Sequence, residues 1–285
     1  MYFYILTNLT GEYYFIMKFR GKKILITGGC SGIGKIMARK SLERGVHSLI
    51  IVDINQTGLE ETHAELSSFG KHIGIYRCDI ADVEQIIDTA DKIKQDFGKI
   101  DILINNAGIV TGKYFHEHTH IDIRKSLLVN AAAPMHLTLQ FLPAMMKENS
   151  GAICTIASSA GLISNPKMSV YAASKWAATG WSDSLRLEME QLGKNISVTT
   201  IMPFFINTGM FDGVKSKLLP ILDPEKTAEK IMKAIEKETK LLAMPLPYWF
   251  IRFSQGVLPL RVFDWVMENI FGIYDTMKEF KGRGD

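Results

Sequence analysis

Thr27-Gly28-Gly29-Cys30-Ser31-Gly32-Ile33-Gly34 is the stretch on which the reading of this 285-residue chain turns. It follows the apolar run Ile24-Leu25-Ile26 and precedes Lys35 to Leu42, whose apolar positions recur at helical spacing until Gly45. The order is strand, glycine turn, helix. Gly28, Gly32 and Gly34 let a ligand approach the backbone, Ser31 and Ile33 complete the turn, and the helix start offers free N–H groups and a positive dipole end. A pyrophosphate is the expected guest. A glycine turn alone is weak evidence, because such turns are common.

The second apolar run, Leu49 to Val52, ends in Asp53. A carboxylate there accepts from an adenosine ribose with both hydroxyls free and repels a 2′-phosphate, which favours NAD over NADP. Neither Ser31 nor Ile54 supplies a base for that phosphate. The bland alternative is that Asp53 begins a turn through Ile54 and Asn55.

Beyond Asp53, helical and strand patterns alternate. Helices are expected over Thr57–Phe69, Val83–Phe97, a long stretch through Asn130, Ser169–Leu192 and Pro224–Glu238. Strands are expected over His72–Arg77, Ile102–Ile104, Ala152–Ile156, Val198–Ile201 and Leu241–Met244. This predicts an α/β, doubly wound, Rossmann-type parallel sheet of about seven strands with helices on both faces. The expected organisation is an extension over 1–17, an NAD-binding catalytic domain over 18–244 and a C-terminal apolar helical extension of that domain over 245–285.

In such sheets ligands bind beyond the carboxyl ends of the strands at the switch point, and the informative residues fall there. Asp79 and Ile80 follow the third strand, where the carboxylate can accept from an adenine amino group. Asn106, Ala107 and Gly108 follow the fourth, where amides can tie strand ends together and small residues leave room for a cofactor. Each taken alone reads equally as a turn. After the fifth strand come Ser158 and then Tyr171, with Lys175 four residues on and on the same helix face. A phenol is a poor base at neutral pH, but a neighbouring ammonium and a positive nicotinamide ring favour the phenolate.

These motifs together resemble the short-chain dehydrogenase/reductase family over about Lys22 to Met244. The resemblance implies Tyr171 as acid/base, Lys175 on the nicotinamide ribose and Ser158 on the reacting oxygen. It further implies Asn130 as holder of a relay water and Thr208 as a contact of the nicotinamide carboxamide. Where the family commonly has Pro-Gly, this chain has Pro203-Phe204-Phe205-Ile206-Asn207-Thr208-Gly209-Met210. The phenylalanines look like the retinol dehydrogenase and hydroxysteroid dehydrogenase branch. The expected substrate is a small apolar alcohol, or its ketone or aldehyde, with a homodimer or homotetramer as the assembly. The rivals are a 3-oxoacyl-thioester ketoreductase, which normally uses NADPH, and a non-catalytic cofactor-sensing or scaffold protein of the same fold.

Composition sets the remaining bounds. A net charge of +3 with interspersed signs offers no basic stripe for nucleic acid. Three separated cysteines, at 30, 78 and 154, fit reduced thiols of an intracellular protein, and the expected location is cytoplasmic, with peripheral contact at a membrane surface left open. His116, His118 and His120 read as a loop beside the cleft and no metal is expected. Met1 to Ile16 is aromatic-rich without early positive charge; Met17 as an alternative start and a membrane- or partner-touching extension stand even. Met210, Phe211, Val214, Leu218 and Leu219 read as an apolar lid or as core. At the far end Val262, Phe263, Val266, Met267, Ile270 and Phe271 form a helical stripe, which packs on the core or a sister subunit, roofs the pocket or lies on a membrane.

Overall fold

The computed structural model describes residues 6–7, 13–14 and 19–282, so the question of Met17 lies outside the described residues. Seven parallel strands form one sheet: β1 Lys23–Thr27, β2 Ser48–Asp53, β3 His72–Arg77, β4 Ile102–Asn105, β5 Gly151–Ile156, β6 Ile196–Pro203 and β7 Leu241–Met244. Their spatial order is β3-β2-β1-β4-β5-β6-β7, with the reversal between β1 and β4. Leu6–Thr7 and Tyr13–Tyr14 make a separate antiparallel pair.

Alternation along each strand builds two cores. On β1, Ile24 and Ile26 face one side and Leu25 the other; on β2, Leu49 and Ile51 oppose Ile50 and Val52; on β4, Ile102 and Ile104 oppose Leu103. Both faces are buried, so these strands read as unbroken apolar runs. Over the first face lie α1 Gly32–Glu43, α2 Gln56–Leu66 and α7 Pro224–Glu236, through Met37, Leu59 and Ile231 among others. Over the second lie α3 Val83–Phe97, α5 Ala133–Glu148 and α6 Ser169–Gln191, through Ile86, Leu137 and Leu185. In α3 the first residue, Val83, is exposed, and Ile86, Ala90, Ile93 and Phe97 carry the packing.

The long helix expected through Asn130 runs from residue 120 to 148 and contains a wider turn. It comprises α4 His120–Leu127, a π-helical turn Leu128–Ala132, and α5. Pro134 has no N–H to offer the carbonyl of Asn130, four residues earlier, and the wider turn falls at that point. The C-terminal stripe falls on one helical run, α9 Leu260–Trp265 continued by a π turn, Val266–Ile270, and a separate helix, α8 Tyr248–Val257, precedes it. Pro259 sits at the break. Phe263, Met267 and Phe271 are buried, whereas Val262 and Ile270 are exposed, so the apolar stripe is only partly an inner face.

Beyond α9 the chain returns across the substrate side of the fold. The Lys215 N–H donates to Thr276 O at 3.3 Å and the Lys281 N–H to Asp212 O at 2.9 Å. Asn165 Nδ2 donates to Thr276 Oγ1 at 3.0 Å and Lys167 Nζ to Lys278 O at 3.1 Å. This strap clamps two loops that the strands alone leave loose. No helix among the described residues is long and apolar enough to cross a membrane.

At the switch point Thr27 ends β1 and its Oγ1 accepts from the N–H groups of both Asn106 (3.0 Å) and Ala107 (3.1 Å). Thr27→Val keeps the shape and leaves both donors without a partner, so urea unfolding should show a loss of roughly 2–4 kcal/mol. Thr27→Ser should recover most of it. Equal stability of the valine and serine variants would contradict the tie.

Candidate active site

A cleft of about 300 Å³ opens beyond the carboxyl ends of β1 to β6. Gly28, Ser31, Gly32, Ile33 and Gly34 line one end, with Asp53, Asp79 and Ile80 beside them. Asn106, Ala107 and Gly108 form the middle, and Ser158, Tyr171, Lys175 and Thr208 the other end. Every residue expected at the site lines this cleft except Asn130, which stands behind it.

The glycine turn is shaped by steric exclusion. Gly28 has φ +64°, a conformation that suits glycine. A Cβ on Gly34 would collide with the carbonyl oxygen of Gly28, so α1 can start this close to β1 only with a bare Cα. Asn106 holds the same turn from the opposite strand: its Nδ2 donates to Thr27 O (2.9 Å) and Gly28 O (3.1 Å). A narrow, backbone-lined crevice at a helix N-terminus results, and it fits a dinucleotide pyrophosphate.

Asp53 serves both readings of its position. Its Oδ1 accepts from the Asn55 N–H at 3.1 Å, as a turn residue would, and its Oδ2 accepts from the Cys30 N–H in the glycine turn at 3.3 Å. It still lines the cleft at the end of β2. Asp79 spends one oxygen on the Ala81 N–H at 3.0 Å. Cys30 is half-buried, Cys78 and Cys154 are buried, and none of the three forms a disulfide.

Tyr171 and Lys175 lie one turn apart on α6, each about 5% exposed, and Ser158 is 8% exposed. Lys175 Nζ donates to Ile156 O at 2.9 Å and stands 5.8 Å from the centre of the Tyr171 ring. Among the protein's own groups burial dominates both titrations. It pushes the Tyr171 phenol up to about 12, against a hydrogen bond with Ser158 that lowers it, and presses Lys175 down to about 8. Among the protein's own groups nothing lowers the phenol as far as burial raises it; the lowering expected from sequence also counts the positive charge of a nicotinamide ring, which is not one of those groups.

Asn130 acts as a brace. Its Oδ1 accepts from the Ile109 N–H at 2.9 Å, and its Nδ2 donates to Ile109 O (2.9 Å) and to Ser174 Oγ (3.0 Å). Ser174 Oγ in turn donates to Tyr171 O at 2.7 Å. The side chain thus joins the β4 loop to the helix that carries Tyr171 and Lys175, with its amide fully engaged by protein.

The aromatic departure after β6 has a structural part. Phe204 packs edge-on to Phe205 (4.5 Å), Phe205 to Phe211 (5.0 Å) and Phe211 to Tyr171 (6.0 Å). Of the residues read as a lid, Met210 and Phe211 line the cleft, Val214 and Leu219 are core, and Leu218 is exposed. Among the described residues none beyond Phe211 lines the cleft, and the C-terminal segment packs into the apolar cluster that holds Tyr171 and Phe204. None of His116, His118 and His120 lines it either, and no cluster suited to a metal occurs among the described residues.

Several lining residues carry no signal in sequence. Lys125 and Val129 face the cleft from α4 and the π turn, and only the three-dimensional path of that helix puts them there. Ile156, Ala157 and Pro203 follow from position instead, since they sit at strand ends bordering the switch point.

Known proteins match this arrangement. The short chain dehydrogenase profile covers residues 22–218. The mouse protein named epidermal retinol dehydrogenase 2 is 38% identical over 92% of this chain and 86% of its own length. The human protein named estradiol 17-beta-dehydrogenase 11 is 34% identical over 92% and 87%. A Burkholderia phymatum short chain dehydrogenase/reductase, solved in complex with NAD, superposes with a TM-score of 0.77 at 25% identity over 85% of this chain and 95% of that one. A metagenomic short-chain oxidoreductase, solved in complex with NADP, shares the fold with a TM-score of 0.68 at 23% identity over 80% and 97%. A sheet reversed beside a glycine turn, a serine, tyrosine and lysine at one end of its cleft, and relatives matched along nearly the whole length agree: the chain belongs to the short-chain dehydrogenase/reductase family of oxidoreductases.

Proposed function

We propose that the protein is an NAD-dependent dehydrogenase that interconverts an apolar alcohol, steroid-like or retinoid-like, with its carbonyl. The observation that carries this reading is the arrival of Ser158, Tyr171 and Lys175 in the cleft that the glycine turn and Asp53 also line. A nicotinamide dinucleotide supplies a ring that takes or gives a hydride. Gly28 to Gly34 and the start of α1 receive its pyrophosphate, Asp53 an adenosine ribose, Asp79 and Ile80 the adenine, and Thr208 the carboxamide. Asn106, Ala107 and Gly108 shape the floor.

Ser158 and Tyr171 hold the substrate oxygen between two hydroxyls. In oxidation Tyr171 takes the hydroxyl proton, and in reduction it returns one. Lys175 contributes charge and a donor to the nicotinamide ribose, and Asn130 fixes the loop and helix on which this geometry rests. Phe204, Ile206, Met210 and Phe211 give the substrate end an apolar wall, which suits a greasy alcohol and accords with the names of the relatives. Asp53, with no base at Ser31 or Ile54, supports NAD over NADP.

Tyr171→Phe should lower kcat by about 10²–10⁴-fold while NADH binding, read by fluorescence, stays within about twofold. Unchanged turnover would remove Tyr171 from the role. A difference titration of wild type against Tyr171→Phe reads the phenol itself. Burial disfavours the anion, so Tyr171 should add no phenolate absorbance up to about pH 10, and saturating NAD⁺ should shift its onset downward. Phenolate near neutral pH before NAD⁺ is added would contradict the part given to burial. For the cofactor, kcat/KM should be higher with NAD than with NADP, and Asp53→Ala should narrow that ratio by removing an acceptor and a repulsive charge. A wild-type preference for NADP would refute it.

A further inference from the structure

Helices α8 and α9 bury one face and leave the other bare. Tyr248, Ile251 and Ser254, three residues apart, pack inward, and Phe263 and Met267 continue that row. The outer row holds Trp249 (47% exposed), Phe250 (56%), Phe253 (68%), Val257 (62%), Leu260 (73%) and Trp265 (58%). Single exposed apolar side chains are ordinary, but a set of this size on two consecutive short helices is a contact surface.

Charge identifies what covers it. From Pro245 to Phe263 there is no Asp or Glu, whereas Arg252 and Arg261 are both exposed. The Arg252 guanidinium lies 6.0 Å from the Trp249 ring. Asp264, the first carboxylate after the run, accepts from the Tyr274 hydroxyl at 2.6 Å. A second copy seated here by two-fold symmetry would bring the same face against itself, arginines included, with no carboxylate in the run to pair them. A layer of anionic headgroups suits all of these features. Phenylalanine and leucine enter the acyl boundary, tryptophans rest at headgroup level, and guanidinium groups meet the phosphates.

We propose that the outer face of α8 and α9 docks the protein on an anionic phospholipid surface. The inner face of α8 adjoins the substrate end of the fold. Tyr248 and Ile251 line a small cavity bounded by Ile163 and Phe204, and Ile163 and Phe204 also line a second small cavity that reaches Ser158. Docking therefore turns the apolar end of the site towards the phase in which a water-insoluble alcohol resides. This deepens the substrate reading proposed above, yet lipid binding is measured without turnover.

The test is co-sedimentation of the full chain with vesicles of phosphatidylcholine, alone or with about 30% phosphatidylserine. Wild type should pellet with the anionic vesicles, and its tryptophan emission should move to shorter wavelength. Trp249→Ser/Phe250→Ser/Phe253→Ser should weaken binding by at least about tenfold. Arg252→Gln/Arg261→Gln should weaken it several-fold on anionic vesicles only. All five residues are exposed, so circular dichroism should show an unchanged melting temperature; if the triple variant misfolds, Phe253→Ser replaces it, with about threefold weakening expected. Equal binding by wild type and the serine variant, no binding by wild type to either vesicle, or a wild-type dimer that the serine variant makes monomeric would each overturn the proposal. A protein that oxidises alcohols but ignores vesicles loses only this inference. One that binds vesicles and turns over nothing loses only the proposed activity.

Discussion

The structure depends on how two parallel strands part. β1 and β4 pair through Ile24 to Ile26 and then send their chains to opposite faces of the sheet, which leaves backbone groups at the split in need of partners. Thr27 Oγ1 and Asn106 Nδ2 supply them, and the Asn106 amide reaches the carbonyl oxygens of Thr27 and Gly28 together. That geometry requires α1 to begin almost on top of β1, and the bare Cα of Gly34 permits it. The crevice is thus a by-product of satisfying hydrogen bonds at a topological reversal.

The second constraint is burial of a lysine and a tyrosine that are both asked to ionise. Water exclusion moves the two in opposite directions, away from the charged form of each, to about 8 and about 12. The gap between them stays wide until a further positive charge enters. A site built in this way holds its proton on the phenol by default.

Much of this was legible from residue order. The strands showed as apolar runs because both sheet faces are covered, and the glycine turn, Asp53, Asn106, Ser158, Tyr171 and Lys175 fall at strand ends or on one helix face, where periodicity places them. Three features were not legible. The π turn at Leu128–Ala132 depends on Pro134 acting four residues back, which leaves the apolar pattern unchanged. The bracing part of Asn130 requires knowing that Ile109 and Ser174 meet it. Which residues of the C-terminal stripe face inward could not be read either, since hydrophobicity alone does not tell an inner face from an outer one: Phe263 and Met267 are buried while Val262 and Ile270 are exposed.

The returning strap at residues 273–282 gives the molecule an order of assembly. The glycine turn, Asp53, Asn106, Ser158, Tyr171 and Lys175 all precede residue 176, but the loops bearing Met210, Phe211, Asn165 and Lys167 are clamped by Thr276, Lys278 and Lys281. During synthesis the nucleotide-binding half therefore leaves the ribosome about a hundred residues ahead of the clamp. A nascent chain holds the glycine turn and its paired strands well before the loops that bear Met210 and Phe211 can be clamped.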